Sequence, residues 1–321
     1  MTAPDNDDMP TVGPQLTTER PLAARIRFHQ SWYRLFVLGQ IGFGTTRPPH
    51  ERALGSILTT QAAEAGLNFT SQAARELYIA RRADGWGVDP VRCTSYLTSS
   101  QALSLNLLGP LVVDLEWSAD IFRSVTGRID ITRIRAIDIE VSARRLGLDL
   151  GDKTHIDALV QAETETGLLN IALEIKLGDR FNSRQIPIRD RAEYHALNAL
   201  WKDPHTTLST PSLNQLVRCH SIAAALALKT DASIGEAAFL LLVHFPGDNE
   251  AESIANLYSD SLTTDSFRAL SLDRFLGYMA TTATNANNVS VVEALAPRYL
   301  ALEQSEQSWA HYLIRRRERN G

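Results

Sequence analysis

The sequence predicts an α/β fold: a mixed β-sheet flanked by helices, with helical extensions at both ends. Apolar residues recur at helical spacing up to residue 113, and β-branched residues alternate from residue 134 onward. Gly167 separates two strand-like segments, which predicts a hairpin. A further apolar strand follows an alanine-rich helix, and such a helical crossover favours a parallel neighbour. The predicted core order is therefore helix-strand-strand-strand-helix-strand.

Four regions are predicted along the chain. They are a flexible N-terminal lead (1–20), a helical N-terminal region (21–95), the α/β core (96–248) and a helical C-terminal region (249–321). The lead is polar, contains three prolines and lacks the basic-then-apolar order of a signal peptide.

Helices with amphipathic spacing precede the predicted sheet. They span residues 51–65, 71–82 and 97–113. Gly109-Pro110 interrupts the third, and because proline removes a helical hydrogen bond, this helix is expected to kink or stop there.

The core strands are predicted from β-branched and alternating apolar residues. They span 134–141, 154–163, 168–177 and 236–245, and a helix over 213–229 precedes the last strand. Three more helices are predicted after the core, over 250–262, 272–282 and 291–318, the last with a kink at Pro297.

Composition excludes several classes of protein. Of the 321 residues, 44% are hydrophobic and 21% are charged, as in an average soluble protein rather than a disordered one. The two cysteines cannot form a disulfide framework, and no apolar run reaches the roughly 18–20 residues of a membrane span. We therefore expect a cytoplasmic protein with no membrane partner. The net charge of −5 does not support non-specific coating of nucleic acid, although a local basic surface is compatible with it.

Three charged residues stand out on the predicted hairpin. Glu174 and Lys176 are two apart on one strand, so their side chains leave the same face, whereas Leu173 and Ile175 point to the other. Asp157 lies on the preceding strand, where a hairpin can bring it beside Glu174. Charged side chains on a buried strand are costly unless something uses them. The three residues therefore predict a functional site.

A divalent cation would account for the two carboxylates. Mg²⁺ prefers oxygen ligands and is typically held by one or two carboxylates together with water and phosphate. Mn²⁺ suits the same donor set. A lysine beside the ion could orient or deprotonate an attacking water and stabilise charge on the phosphate. Asp157, Glu174 and Lys176 thus suit metal-assisted hydrolysis of phosphodiester bonds.

The pattern Asp157…Glu174-x-Lys176, on the second and third strands of this core, resembles the PD-(D/E)XK nuclease superfamily. The similarity is greatest to a restriction-endonuclease-like branch, in which a segment like residues 99–111 precedes the catalytic strands. The resemblance covers residues 81–280 and implies a restriction-endonuclease-like core.

The resemblance also implies a role for each matching residue. Asp157 and Glu174 match the metal-binding carboxylates, and Lys176 matches the catalytic lysine. Glu140, near the end of the first strand, matches an upstream acidic residue that many members use as an additional metal ligand.

Nucleic-acid contacts are predicted on the helices and before the catalytic strands. RecB-like nucleases place a glutamine where Gln215 lies, and Arg218 shares its helical face, so it could contact a phosphate. Gln101 on the first core helix is a further candidate. Arg144 and Arg145 belong to a group of arginines that could follow the phosphate backbone. The other members of that group are Arg123, Arg128, Arg133 and Arg135.

Two departures from the family pattern leave an alternative open. Ile156 stands where the motif name has proline, and Leu177 follows the lysine where the branch favours an aromatic residue. With the acidic net charge, the missing aromatic residue favours a catalytically silent nucleic-acid-binding or scaffold protein of the same fold. A nuclease acting on RNA is a third hypothesis.

The preferred expectation is a Mg²⁺-dependent endonuclease that acts on DNA. The resemblance implies a role in restriction, phage defence or repair. Many such nucleases cut both strands as dimers, so a homodimer is among the expected assemblies.

Overall fold

The computed structural model of the chain describes residues 11–85, 87–181 and 185–320. Residues 1–10, half of the predicted flexible lead, lie outside the described residues. The rest of the lead contacts the N-terminal region, where the Gly55 amide donates to the Pro14 carbonyl at 2.8 Å.

Helices surround one five-stranded sheet. The α-helices of the described residues are α1 (Pro21–Phe36), α2 (Thr60–Glu64), α3 (Gln72–Ala83), α4 (Pro90–Ser95), α5 (Ser100–Val113), α6 (Leu115–Thr126), α7 (Ala192–His195), α8 (Pro204–Ser209), α9 (Asn214–Lys229), α10 (Ile234–Ala237), α11 (Asn249–Ser261), α12 (Leu272–Thr282), α13 (Ala286–Tyr299) and α14 (Glu306–Asn320). Short 3₁₀ helices span Ala143–Leu146, Asn198–Leu200, Pro211–Leu213 and Leu302–Ser305. The strands are β1 (Ile131–Ser142), β2 (His155–Thr164), β3 (Leu168–Lys176), β4 (Ala238–His244) and β5 (Phe267–Ser271). None of these helices combines the length and the apolar character needed to cross a bilayer.

The five strands lie in the order β1-β2-β3-β4-β5. β1, β2 and β3 pair antiparallel, and β4 pairs parallel to β3 after the crossover through α9. The predicted α/β core, its hairpin and its parallel crossover strand are therefore confirmed. β5 extends the sheet parallel to β4, and neither it nor α6 was predicted.

The sheet separates two hydrophobic clusters. One packs α5, α6 and α12 against the sheet and includes Leu173 and Ile175 of β3. The other packs α9 and α11 and includes Ala172. Glu174 and Lys176 continue the alternation that starts at Ala172, so both point towards α9.

The helix predicted over 51–65 is wrong for most of its length, since only Thr60–Glu64 is helical. The preceding segment instead forms a loop with its own backbone pairing, in which the Leu54 amide donates to the Gly44 carbonyl at 3.1 Å. The buried Arg34 side chain donates to the Gly55 carbonyl at 2.8 Å. Tertiary hydrogen bonds therefore override the apolar spacing here.

The helix α5 runs through Pro110 and ends at Val113, so the predicted stop lies three residues later. Asp114 then caps α6 by accepting from the Trp117 amide at 2.9 Å. Gly109 lets α5 approach α3 closely, because a Cβ at this position would lie 2.5 Å from the Ala74 Cα.

The helix predicted over 291–318 is broken into α13 and α14 by a 3₁₀ turn, and Pro297 lies inside the last turn of α13. The break is held by α1, from which His29 Nε2 lies 3.0 Å from the Pro297 carbonyl. Arg25 of the same helix donates to Ser305 Oγ at 2.9 Å. Contacts with the N-terminal helix thus decide where the chain turns.

Candidate active site

The strands β2 and β3 separate at one end of the hairpin. Their ladder stops at the pair Ala158 and Leu173, although β2 remains paired to β1 and β3 to β4 beyond this point. Asp157, which precedes Ala158 in β2, instead accepts a hydrogen bond from the Ile175 amide through its Oδ2, at 2.6 Å. A side-chain oxygen thus replaces a ladder acceptor, and the sheet opens into a notch beside Glu174.

Glu174 and Lys176 meet in this notch. The Lys176 ammonium lies 2.8 Å from Glu174 Oε1, and both side chains are less than a tenth exposed. Gln215 from α9 joins them: its Nε2 donates to Glu174 Oε1 at 2.5 Å, and its Oε1 accepts from Lys176 at 3.1 Å. The Phe181 ring, 5.1 Å from the ammonium, covers the lysine. The structure thus brings three of the predicted site residues, Glu174, Lys176 and Gln215, into one cluster.

The charges of this cluster depend on one another. Burial by itself would lower the pKa of Lys176, but Glu174, Asp157 and Asp179 outweigh it and raise the pKa above its usual value. Burial raises the pKa of Asp157 well above its usual range, and the negative charges of Glu174 and Glu140 add to this effect. Lys176 is therefore an ammonium at neutral pH that offsets part of the repulsion between the carboxylates.

Glu140 of β1 lies between the β1–β2 pairs Ile139–Ala158 and Val141–Ile156, at the level of Asp157. It is 7% exposed, and its Oε1 has no hydrogen-bond partner among the described residues. Burial raises the pKa of Glu140 to about 8, the charge of Glu174 contributes further, and a hydrogen bond with Gln101 acts in the opposite direction. An unpartnered, buried acceptor therefore points to a missing donor or cation.

Two residues beside the cluster were not predicted. Cys219 of α9 donates to Glu174 Oε2 at 3.3 Å, and burial raises the pKa of its thiol, with Glu174 as the next cause. Its position four residues after Gln215, on the same helical face, is a signal that could have found it. Asp179 follows β3 and has a buried Oδ2 without a hydrogen-bond partner among the described residues. Burial raises the pKa of Asp179, and Lys176 opposes this shift.

Two residues predicted to contact nucleic acid, Arg218 and Gln101, lie outside the cluster of Glu174, Lys176 and Gln215. Arg218 is buried and donates to Asn214 Oδ1 at 3.0 Å and to Thr154 Oγ1 at 2.7 Å, so its guanidinium is engaged within the protein. Gln101 donates to the Gly87 carbonyl at 3.2 Å and accepts from the Asp89 amide at 3.1 Å.

The predicted group of arginines is largely paired with carboxylates on the surface. Arg145 donates to Asp84 at 2.9 Å, and Arg144 beside it is exposed. The remaining pairs are Arg123 with Asp120, Arg128 with Asp130, and both Arg133 and Arg135 with Glu163. That these arginines follow a phosphate backbone stays a prediction.

The donor set suits a hard divalent cation. Within residues 11–85, 87–181 and 185–320, no group of three or more His, Cys, Asp or Glu side chains stands ready to enclose a metal ion. Mg²⁺ does not need such a cage, since one or two carboxylates together with water and substrate phosphate typically hold it. Asp157 and Glu174 meet this requirement, and the unpartnered Oε1 of Glu140 is a further acceptor.

Comparison with known proteins agrees with this geometry. The chain matches the family model of the PD-(D/E)XK nuclease superfamily over residues 17–301, well over half of its 321 residues. Neither the curated proteins nor the solved structures contain a match. Membership of this superfamily indicates a nuclease, and its members typically use divalent metals. The family match and the sheet order that carries Asp157, Glu174 and Lys176 together show that the chain belongs to the PD-(D/E)XK nuclease superfamily.

Proposed function

We propose that the chain is a Mg²⁺-dependent endonuclease that hydrolyses phosphodiester bonds of DNA, with Mn²⁺ as an alternative ion. The observation that carries the proposal is the separation of β2 from β3, which leaves Asp157 and Glu174 beside Lys176 in one largely buried cluster. If Glu174 and Lys176 formed an ordinary salt bridge on a surface strand, both side chains would be exposed to water. Instead Glu174 is 4% exposed and Lys176 is 8% exposed.

In this proposal Asp157 and Glu174 hold the ion, and Glu140 contributes its unpartnered oxygen. The ion, when bound, supplies Lewis-acid activation of water and neutralises charge on the phosphate. Gln215 and Cys219 donate to the two oxygens of Glu174 and fix the carboxylate in place.

Lys176 acts in its charged form. Because its pKa is raised, it carries its proton at neutral pH and donates hydrogen bonds rather than accepting a proton. An ammonium at this position orients the attacking water and stabilises the negative charge that develops on the phosphate. The bond to Gln215 Oε1 holds the lysine over the notch.

The DNA substrate, and a role in restriction or phage defence, are proposed from the superfamily alone. Cleavage of plasmid, linear and single-stranded DNA and of RNA, each with and without Mg²⁺, tests the substrate. We expect Mg²⁺-dependent DNA cleavage by the wild type and none by Lys176→Ala or Glu174→Gln. Lys202→Ala and Glu293→Gln, which change exposed residues, are matched controls that keep full activity. Full activity of Lys176→Ala, or cleavage of RNA alone, would overturn the proposal.

A calorimetric titration with Mn²⁺ separates the proposal from the silent scaffold. We expect binding that is lost in Asp157→Asn while the variant remains folded by circular dichroism. Metal binding that does not depend on Asp157 would instead support a catalytically silent protein of this fold. Sedimentation of the wild type with and without DNA tests whether it acts as a homodimer.

A further inference from the structure

The strand β1 changes face at Glu140. Residues two apart on a strand normally share a face. Ile139 packs in the cluster with α5 and α6, yet Val141 packs in the cluster with α9 on the other side of the sheet. The left-handed backbone of Glu140, with φ at 49°, lies between them at this change of face.

This conformation is unfavourable in two ways. A residue with a Cβ rarely adopts a left-handed backbone, and in a buried glutamate this conformation is strained. Glu140 also buries an acceptor, Oε1, that has no partner among the described residues. Unfavourable features that coincide at one residue of a candidate site point to a functional constraint.

The constraint comes from the N-terminal helical region. Arg81, in the last turn of α3, is buried and donates through Nε to the Ile139 carbonyl and through Nη2 to the Glu140 carbonyl, both at 2.9 Å. The planar guanidinium thereby fixes two successive peptide groups of β1. Gly87 packs directly against this clamp, the pair of hydrogen bonds from Arg81 to β1. A Cβ at Gly87 would lie 2.7 Å from Arg81 Nη2 and 3.1 Å from the Glu140 carbonyl oxygen.

We propose that Arg81 is a positioning residue of the active site: it holds the left-handed backbone at Glu140 and so directs the Glu140 carboxylate towards the ion that Asp157 and Glu174 would hold. The pairs Ile139–Ala158 and Val141–Ile156 flank Glu140 and Asp157, so these two residues lie at the same level of the β1–β2 ladder, which supports the proposal. The inference rests on the proposed function, because it assumes that an ion binds beside Asp157.

Titration calorimetry with Mn²⁺, together with the Mn²⁺ concentration for half-maximal cleavage, tests the proposal. Removing a residue that orients a metal ligand typically weakens metal binding about 10- to 100-fold, and we expect such a loss in Arg81→Met. Arg81→Lys, which keeps one donor, should lie between Arg81→Met and the wild type. Arg82→Met, a change of the exposed neighbour on the same helix, should leave the affinity unchanged.

The decisive variant combines Arg81→Met with Glu140→Gln. If Arg81 acts through Glu140, the double variant binds Mn²⁺ no more weakly than Glu140→Gln alone. A further loss of the same size in the double variant, or unchanged affinity in Arg81→Met, would show that Arg81 only supports the fold. If Arg81→Met does not fold, Gly87→Ala perturbs the same clamp from the other side and carries the same expectations.

Failure of the proposed function gives a different pattern. A wild type that binds no Mn²⁺, or binds it independently of Asp157, overturns the metal site and with it this inference. If Mn²⁺ binding depends on Asp157 but is unchanged in Arg81→Met, the inference about Arg81 is overturned and the proposed function stands.

Discussion

Replacing Glu140 by glycine should make the metal-free protein more stable while weakening its metal site. Glycine adopts the left-handed backbone without strain, so the change removes a strain of about 1–2 kcal/mol. It also removes a buried acceptor that has no partner, and such an acceptor lowers stability by about 1–3 kcal/mol. Against this stand about 0.5–1 kcal/mol of chain entropy for glycine and about 1.6 kcal/mol for two lost buried methylenes.

The balance is a gain of about 1 kcal/mol in the free energy of unfolding, or about 1.5 °C in the melting temperature for a chain of this size. Natural residues that reduce stability in this way are typical of functional sites. Guanidinium unfolding with a chelator present measures the gain, and Mn²⁺ calorimetry measures the accompanying loss of affinity.

The gain should depend on pH. Burial raises the pKa of Glu140 from 4.5 to about 8, so between these values the folded protein holds a proton that the unfolded chain has released. Stability due to this group is therefore highest at low pH and falls as pH rises towards 8. Glu140→Gly removes the group, so its advantage over the wild type should be smaller at about pH 5 than at about pH 9.

Asp231→Gly is the matched control, because Asp231 also has a left-handed backbone, with φ at 54°, but is exposed at the end of α9. It should gain stability from strain relief alone and leave metal affinity unchanged. A Glu140→Gly variant that is less stable than the wild type at about pH 9, or whose gain is the same at about pH 5, would refute the reasoning.

Two further predictions concern neighbouring residues. Lys176→Met should lower the free energy of unfolding by about 3–5 kcal/mol in the metal-free protein, because it leaves Glu174 buried without its cation. Adding Glu174→Gln should recover part of this loss in urea titrations, and strictly additive effects would contradict a buried ion pair. Arg218→Met should lower stability by about 2 kcal/mol, since its hydrogen bonds to Thr154 and Asn214 are lost, and leave the salt dependence of DNA binding unchanged. A salt slope reduced by about one would show instead that Arg218 contacts a phosphate.

The core of the site could be predicted from the sequence because its signals are local. Alternation along β3 places Glu174 and Lys176 on one face, and the short turn after β2 brings Asp157 alongside. Helical spacing likewise places Gln215 on the first turn of α9, towards the sheet. The same spacing predicted that Arg218 shares the role of Gln215 in contacting nucleic acid. In the structure Gln215 contacts Glu174, whereas Arg218 donates to Thr154 and Asn214, because different segments pack against the two side chains.

Other elements escaped prediction because long-range contacts form them. The loop before α2 is held by Arg34 and its own backbone bonds, although its apolar residues have helical spacing. β5 is five residues long and gains its pairing only from β4, so its own sequence carries a weak signal.

The sequence alone determined the α/β core, the order of its main strands and the three charged residues that share the hairpin, since periodicity and short turns act between near neighbours. The fold of the whole chain was needed to separate β2 from β3 at Asp157, to bring Cys219 and Asp179 to the cluster and to give Glu140 its left-handed backbone. These features depend on partners far away in the chain; at Glu140 the partner is Arg81 of α3, which donates to the Ile139 and Glu140 carbonyls of β1. A backbone conformation that a residue disfavours by itself leaves no local pattern, because its cause lies in the contacts that enforce it.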